Sequence, residues 1–405
     1  MKKRLLLPLQ IAVTVVLLYV VLSRVHFYGQ RWENAEVVRA SGAFVELRID
    51  GKVETLPASQ VQIRTVAAPD GTQRQVASAF KPGLADVFMR TNKLTACLFG
   101  ALAGLVVFFT SLRLYLLLRV QKFDITLGET IRYSFIGIFF NWVLPGLVTG
   151  DLVKWYFISK KHKRVAMVGL ILALDRIIGA FVLFLIASVV SAFFPFDTPA
   201  FAASPALVHD FKVILWVVRA MTLAGVVGAV VLFSRTLHKL LRVEWFYRNL
   251  PAGRQLEKLH QALLLYRAHF ATLAAALAIS VGVHATTITC NWGLGGAMGI
   301  HGVSYVQYAV FMPVILTAVG VIPLSLGGLG LRETMYVLTF KTAGVPAEAA
   351  LNLDFTFYAL SILWSLPGAI FYLERRDRVS AGQMQRELSS GAAAPQTIRE
   401  GESNP

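Results

Sequence analysis

The sequence predicts an all-α polytopic membrane protein of seven to nine membrane elements, with a small β-rich insert outside the cytoplasm. The chain is 56% hydrophobic and 15% charged, whereas soluble domains carry about 25% charged residues. Its apolar residues are concentrated in long runs, and two of these lead into segments rich in proline and glycine. A polar stretch with alternating apolar residues follows the first run and predicts the insert.

Seven apolar runs are candidate spans, because a membrane-crossing helix needs about 20 mostly apolar residues. They are Leu5–Leu22, Leu94–Leu112, Val165–Pro195, Val213–Phe233, Phe270–Cys290, Val303–Ile322 and Phe355–Tyr372. Two more segments, Phe135–Val148 and Leu331–Phe340, are predicted to be broken or re-entrant helices. The first run lacks a small-residue cleavage site, so we expect a retained anchor and not a signal peptide.

The most informative segment begins at Pro323 and ends at Glu333, directly after an apolar run. Proline removes a backbone donor, and each glycine weakens a helix by about 1 kcal/mol. Such backbone is tolerated at membrane depth only inside protein or beside a polar cavity, and broken helices next to charges form many transporter sites. We therefore predict substrate-binding roles for Ser325, Gly327, Gly328, Gly330, Arg332 and Glu333.

A second segment has a related layout. Lys154 follows Pro145 by the same spacing that separates Arg332 from Pro323. The acidic residues differ in order, so an internal repeat and an unrelated second break are both open interpretations. We predict that the two broken segments meet inside the helix bundle. The candidate substrate-binding residues of this segment are Asn141, Pro145, Gly146, Gly150, Asp151 and Lys154.

Two ionisable residues, Asp175 and Arg176, lie about ten residues into an apolar run, which corresponds to a depth of ~15 Å in a helix. Neighbouring residues point about 100° apart, so we expect each to have its own partner. The expected partners are Arg332 or Lys154 for Asp175, and Glu333 or Asp151 for Arg176. We predict that both bind substrate in a polar cavity that accepts a charged headgroup, with a purely structural ion-pair network as the alternative.

Two other polar groups in the apolar runs have a simpler interpretation. Arg113 and Arg119 are expected to extend their charged ends to the membrane surface from the inner end of their span. His284 is interpreted as a hydrogen-bonded polar group, with a proton relay as the alternative.

The polar insert covers roughly Val25–Asn92. Val45–Ile49 alternates as a half-buried strand does, and Asp50-Gly51 is a typical hairpin turn. Three to five strands are predicted, with a structural or partner-docking role and a ligand-binding role as alternatives. The predicted domains are an anchor at 1–24, the insert at 25–92, a transmembrane domain at 93–378 and a disordered cytoplasmic tail at 379–405.

Lysine and arginine predict the orientation, because they favour cytoplasmic loops. Basic residues cluster at the N-terminus, at 160–164, at 235–267 and after the last run. Both termini are therefore expected in the cytoplasm, with the protein in the cytoplasmic (inner) membrane. The apolar residues within 235–267 favour interfacial amphipathic helices. The formal charge of +16 is spread over these loops, which disfavours nucleic acid as a partner. The basic residues either serve to orient the chain only, or they also attract anionic lipid headgroups.

Enzyme signatures are missing from the sequence. It contains no Walker A loop, dinucleotide fingerprint, metalloprotease motif or Gly-x-Ser-x-Gly elbow. Cys97 and Cys290 lie in apolar runs and form no metal or redox pattern. We therefore expect no catalytic residue, no metal and no cofactor, and we predict that the chain is not an enzyme.

Three motifs together resemble a known family, the lysylphosphatidylglycerol synthase transmembrane, or flippase-like, family. They are Asn141-x-x-x-Pro-Gly-x-x-x-Gly-Asp-x-x-Lys154, Leu174-Asp-Arg-x-x-Gly179 and Pro323-x-Ser-x-Gly-Gly-x-Gly-x-Arg-Glu333. The resemblance covers roughly 94–378. The family pattern more often has Gly-Gly-Asp and Arg where this chain has Thr149-Gly150-Asp151 and Lys154, and the polar insert is not associated with the family core.

The resemblance implies a membrane domain that moves an amphiphilic lipid between leaflets. Bifunctional members add a cytoplasmic aminoacyl-transferase domain, which this sequence lacks, so the resemblance implies the flippase-like half. The expected cargo is a phospholipid, anionic or aminoacylated, or a polyprenyl-linked headgroup. One alternative is an accessory subunit that presents lipid to a separate envelope enzyme through the insert, and another is a membrane-embedded transferase. A pocket open to both leaflets would favour transport, and an apolar patch on the insert would favour the accessory role.

Overall fold

The computed structural model describes residues 19, 27–40, 44–49, 51–67, 73–143, 149–194, 205–233, 266, 269–321 and 328–374. The predictions for the N-terminal anchor (apart from Tyr19), for nearly all of the inner loop at 235–267 and for the tail at 379–405 lie outside these residues. Four predicted site residues do so as well: Pro145, Gly146, Ser325 and Gly327.

Five antiparallel strands form the sheet in the described part of the insert: β1 Gln30–Ala40, β2 Phe44–Ile49, β3 Lys52–Pro57, β4 Val61–Ala67 and β5 Gln73–Lys81. Their order in the sheet is β3-β2-β1-β5-β4. Ile49 pairs with Lys52 across the predicted hairpin, and Gly51 there has a φ of 78°, which glycine adopts without strain. The prediction of a small β-rich insert is confirmed.

One face of this sheet carries the insert's core. Val45 and Leu47 of β2 are buried on the same face as Leu56 of β3, as the alternation predicted. The looser pattern after Val53 proves to be two strands, because the 3-10 turn Ala58–Gln60 separates β3 from β4.

A helix that the sequence did not predict ends the insert. This helix, α1, covers Leu84–Arg90, and the carboxylate of Asp86 caps it. Oδ2 of Asp86 accepts hydrogen bonds from the backbone N–H of Gly83 at 3.1 Å and of Gly29 at 2.6 Å. The same side chain thus caps the helix and fixes the residue that precedes β1.

The remaining helices follow in chain order. They are α2 Lys93–Leu102, α3 Gly104–Val120, α4 Leu127–Val143, α5 Thr149–His162, α6 Val165–Val190, α7 Pro205–Phe233, α8 Phe270–Ala297, α9 Tyr305–Val321, α10 Leu331–Lys341 and α11 Ala347–Leu373. Five stretches of the described chain are long and apolar enough to cross a membrane: Lys93–Val120, Val165–Phe193, Phe211–Val231, Phe270–Ala297 and Ala347–Leu373. The chain is a multi-pass membrane protein, as predicted. The described part of the run that begins at Val303 forms the shorter helix α9.

The predicted helix breaks fall mainly on residues 144–148 and 322–327, which lie outside the described part of the chain. Helix α4 ends at Val143 and α5 begins at Thr149, and α9 ends at Val321 and α10 begins at Leu331. Gly328 and Gly330 have φ values of 83° and 82°, a region that side chains with a Cβ rarely adopt. A re-entrant path for these segments stays a prediction.

The chain forms two compact units, and several helices contribute residues to both. Unit 1 contains Met1–Leu102, Ile186–Arg219 and Thr287–Leu360, and unit 2 contains Ala103–Leu185, Ala220–Thr286 and Ser361–Pro405. Each unit has its own apolar core. The first broken segment belongs to unit 2 and the described part of the second to unit 1, so their meeting stays a prediction.

Helices α4 and α5 of unit 2 approach each other closely at two glycines. A Cβ on Gly137 would lie 2.7 Å from the carbonyl oxygen of Gly150, and a Cβ on Gly150 would lie 2.7 Å from the Asn141 side chain. Neither helix has room for a larger residue at this point. The crossing fixes the start of α5, where Gly150 and Asp151 lie.

We expect Gly137→Ala to destabilise the protein by about 1–3 kcal/mol, the usual cost of an added methyl group in a packed interior. The measurement is thermal unfolding of the purified protein in detergent. Gly128→Ala is the matched control, because Gly128 lies in the same helix and a Cβ there would meet no atom within 4 Å. Equal stability of the two variants would contradict the close crossing.

Candidate functional site

Asp151 is the centre of the first charged group, in the first turn of α5. Its Oδ1 lies 2.6 Å from Nζ of Lys154, and its Oδ2 lies 2.5 Å from Nε of Arg176 on α6. Oδ1 of Asn141 accepts a hydrogen bond of 2.6 Å from the N–H of Gly150. We call Asp151, Lys154 and Arg176 the Asp151 cluster. Of the two partners expected for Arg176, Asp151 is confirmed.

Asp175, which directly precedes Arg176 in the sequence, has a different partner from those predicted. Arg113 of α3 donates two hydrogen bonds to its carboxylate, from Nε to Oδ1 at 2.6 Å and from Nη2 to Oδ2 at 3.0 Å. Nη1 of Arg113 donates to Oγ of Ser280 on α8 at 2.8 Å. The expected pairing of Asp175 with Arg332 or Lys154 is wrong.

The prediction that Arg113 extends to the membrane surface is wrong as well. Its side chain is only 7% exposed, and that of Asp175 is 10% exposed. A Cβ on Gly179 would lie 2.9 Å from Nη1 of Arg113, so this glycine leaves the room that the guanidinium needs. Nε2 of His284 lies 3.0 Å from the carbonyl oxygen of Gly179, in agreement with a hydrogen-bonded histidine.

The two neighbours on α6 therefore have different environments. Arg113 and Asp175 form a neutral, bidentate pair that links α3 to α6 and is closed off from solvent. The Asp151 cluster contains two cations and one carboxylate, and the Arg176 side chain is 59% exposed. A buried neutral pair suits a structural role. A surplus positive charge on an accessible guanidinium suits the binding of an anion, because its planar fork matches phosphate and carboxylate oxygens.

Unit 1 contains a second charged group, which we call the Asp354 cluster: Arg332, Glu333, Asp354 and Tyr358. Nη2 of Arg332 donates to Oε1 of Glu333 at 2.9 Å, and its Nε lies 2.6 Å from Oδ1 of Asp354. The guanidinium lies over the Tyr358 ring, 4.0 Å from its centroid. Oε2 of Glu333 accepts from the N–H of Gly330 at 2.6 Å and so caps α10.

Sequence reasoning missed Asp354 and Tyr358 of the Asp354 cluster, and it did not recognise Arg113 as the buried partner of Asp175. Asp354 directly precedes the apolar run that begins at Phe355, and its position beside that run was the available signal. Arg113 was noticed but assigned to the surface, although it follows nine residues of the apolar helix α3. Their burial is apparent only in the structure, where Asp354 contacts Arg332 and Arg113 contacts Asp175.

The structure locates ten of the predicted site residues. Six lie in unit 2 and four in unit 1: Asn141, Gly150, Asp151, Lys154, Asp175 and Arg176, then Gly328, Gly330, Arg332 and Glu333. Within the described part of the chain, no group of three or more histidine, cysteine, aspartate or glutamate residues could hold a metal ion. Substrate binding by the ten residues stays a prediction.

The model of the lysylphosphatidylglycerol synthase transmembrane region matches residues 83–368, well over half of the chain. The protein belongs to this family, as its three motifs predicted. The match begins in front of α1, earlier than the predicted start near Leu94, and leaves the five-stranded insert outside. Comparisons with curated proteins and with solved structures found no match.

We expect Asp175→Asn alone to cost roughly 3–5 kcal/mol, because it leaves the Arg113 charge buried without its partner. Arg113→Gln combined with Asp175→Asn should cost much less than the sum of the two single changes. The measurement is a double-mutant cycle of unfolding free energies in detergent. Additive single effects would show that the pair contributes no coupling.

The ion pair of Glu129 and Lys161 is the matched control. Its N–O distance is 2.5 Å, but its side chains are 33% and 39% exposed. Burial opposes ionisation of Glu129, yet its hydrogen bonds with Lys161 and Thr126 leave the carboxyl pKa below its ordinary value. Exposed pairs contribute about 0.2–1 kcal/mol, so Glu129→Gln with Lys161→Gln should show weak coupling.

Proposed function

We propose that this protein moves a lipid with a phosphate-containing headgroup between the leaflets of the cytoplasmic membrane. Family membership supports a role connected with lipids. The observation that carries the proposal is the exposed Arg176 side chain in a cluster with one positive charge in excess. Anionic phospholipids, aminoacylated phospholipids and polyprenyl-linked headgroups all contain phosphate, which is the chemistry that this cluster fits.

The physical task is to carry a charged headgroup through ~30 Å of hydrocarbon. A charge at the centre of a membrane helix already costs about 2.5–3.5 kcal/mol on insertion scales. A phosphate near the Asp151 cluster would meet a compensating charge, while its acyl chains stay in lipid. Asp151 holds Lys154 and Arg176 in place and is itself neutralised by them.

Residue Arg176 is expected to bind the headgroup directly. Removing one charge-assisted hydrogen bond costs about 1.5–3 kcal/mol, so Arg176→Gln should slow transfer by about tenfold or more. The measurement is transfer of fluorescent phosphatidylglycerol in reconstituted vesicles, followed by quenching of the outer leaflet. Arg176→Lys should retain part of the activity, because lysine keeps the charge but loses the planar fork.

Residue Arg119 supplies the matched control for this experiment. It is an exposed arginine in the last turn of α3 and belongs to neither cluster. Arg119→Gln removes the same charge and should leave the transfer rate unchanged. Equal rates for wild type and Arg176→Gln would refute the proposed role of Arg176.

The buried pair can be tested in the same vesicles. Under our proposal Arg113 and Asp175 position α6 and do not contact lipid. The combined variant Arg113→Gln with Asp175→Asn should therefore transfer lipid whenever it folds. A folded double variant without transfer would place Asp175 in the transport path instead, which is the cavity role that the sequence predicted.

The accessory-subunit alternative depends on the exposed surface of the insert. Val53 and Val66 are about half exposed, but they belong to β3 and β4 at opposite ends of the strand order. The ion pair of Glu36 and Arg48 lies on the intervening strands β1 and β2. Other exposed apolar residues of the insert include Val38 and Ile63 in the strands and Phe27, Tyr28, Phe88 and Met89 outside them, so the accessory role stays an alternative.

The orientation that we propose places the insert outside the cytoplasm and both termini inside. Val53→Cys, introduced together with Cys97→Ser, should then react in intact cells with a membrane-impermeant thiol reagent, after permeabilisation of any outer membrane. Asp124 lies beyond the other end of the span Lys93–Val120. The variant Asp124→Cys should therefore react only after lysis. The opposite labelling pattern would reverse the proposed orientation.

A further inference from the structure

We propose that the Asp354 cluster is a proton-binding site, in which Asp354 and Glu333 together hold one exchangeable proton. Both carboxyl side chains are 1% exposed, and the Arg332 side chain between them is 16% exposed. Two carboxylates against one guanidinium leave one negative charge in excess. An uncompensated buried charge is far more costly than a protonated carboxyl group, so one added proton would neutralise the cluster.

The hydrogen bonds show where this proton is needed. Both oxygens of Glu333 are used, one by Arg332 and the other by the N–H of Gly330. Asp354 contacts Arg332 through Oδ1, whereas its Oδ2 is buried and has no hydrogen-bond partner among the described residues. An ionised carboxylate with one oxygen unsatisfied would be strongly disfavoured here. Oδ2 of Asp354 is therefore the oxygen on which we place the added proton.

The surrounding residues supply no second cation within the described part of the chain. The other titratable groups described here are tyrosines. Tyr358 of α11 belongs to the cluster, Tyr336 of α10 interacts with it, and Tyr308 of α9 interacts with Tyr336. Tyrosine is neutral at physiological pH. The hydroxyl of Tyr336 donates to Oδ1 of Asn291 at 2.8 Å, so it is already engaged away from the cluster.

A proton fits this site better than a metal ion. A metal ion would stand beside the Arg332 guanidinium and would need several oxygen ligands, while a proton needs only one oxygen. Proton binding by itself does not depend on lipid transfer. A role in coupling rests on the proposed function and deepens it: a proton that binds and leaves here could couple a proton gradient to headgroup movement.

Infrared difference spectroscopy of the full-length protein in lipid vesicles tests the site directly. Wild type at neutral pH should show the carbonyl band of a protonated carboxyl group that shifts in heavy water. Asp354→Asn should abolish this band, because Glu333 then forms a one-to-one pair with Arg332. Glu333→Gln should abolish the same band for the same reason, with Asp354 as the remaining partner.

Two further variants make the result unambiguous. Asp124→Asn removes an exposed carboxyl group and should leave the band unchanged. Asp354→Glu keeps a carboxyl group and should retain the band at a shifted frequency, which serves as the test if Asp354→Asn fails to fold. A band that persists in folded Asp354→Asn, or remains unshifted in Asp354→Glu, overturns the proposal. A carboxyl band whose intensity changes with the sodium chloride concentration and not with pH would also overturn the proposal.

Transfer in vesicles separates this site from the proposed function. A pH gradient should change the transfer rate of wild type but not that of Asp354→Asn. If wild-type vesicles transfer no lipid while the infrared band behaves as expected, the lipid-transfer proposal fails and the proton site stands. If transfer occurs but the infrared band is absent, the proton-site proposal fails and the lipid-transfer proposal stands.

Discussion

The cost of burying charge is the constraint on which the organisation of this protein depends. An isolated ionised group inside a membrane helix is expensive, so each buried ionisable side chain of the two clusters and of the Arg113–Asp175 pair contacts an opposite charge. These contacts join helices that are distant in sequence. Arg113 of α3 and Asp175 of α6 are the clearest case, since both ends of the pair are almost fully buried.

The same constraint gives the adjacent residues Asp175 and Arg176 separate roles. The helical rotation between neighbours directs them to different partners. Asp175 lies in a neutral pair, where any unmatched change exposes a bare charge to a low dielectric. Arg176 lies in a cluster with surplus positive charge and keeps more than half of its side chain accessible. In our proposal the buried pair holds α6 in position, and the accessible residue meets the lipid headgroup.

The glycines beside these charges have a steric function. Gly179 leaves room for the Arg113 guanidinium, and Gly137 and Gly150 let α4 and α5 approach backbone to backbone. Gly330 adopts a positive φ, and its N–H is bound by the Glu333 carboxylate. Glycine thus allows the chain to change direction and pack tightly at the points where the charged groups assemble. The surplus charge is positive in the unit 2 cluster and negative in the unit 1 cluster.

The sequence by itself determined the membrane class, the β-rich insert and the family, because hydropathy, alternation and short motifs are local properties of the chain. It also gave the Arg176–Asp151 pairing as one of two alternatives. Only the tertiary structure decided that Asp175 pairs with Arg113 and that Arg332 contacts Asp354. Both partners are separated from these residues by many positions along the chain, and the choice among several buried charges depends on how the helices pack, which no local pattern records.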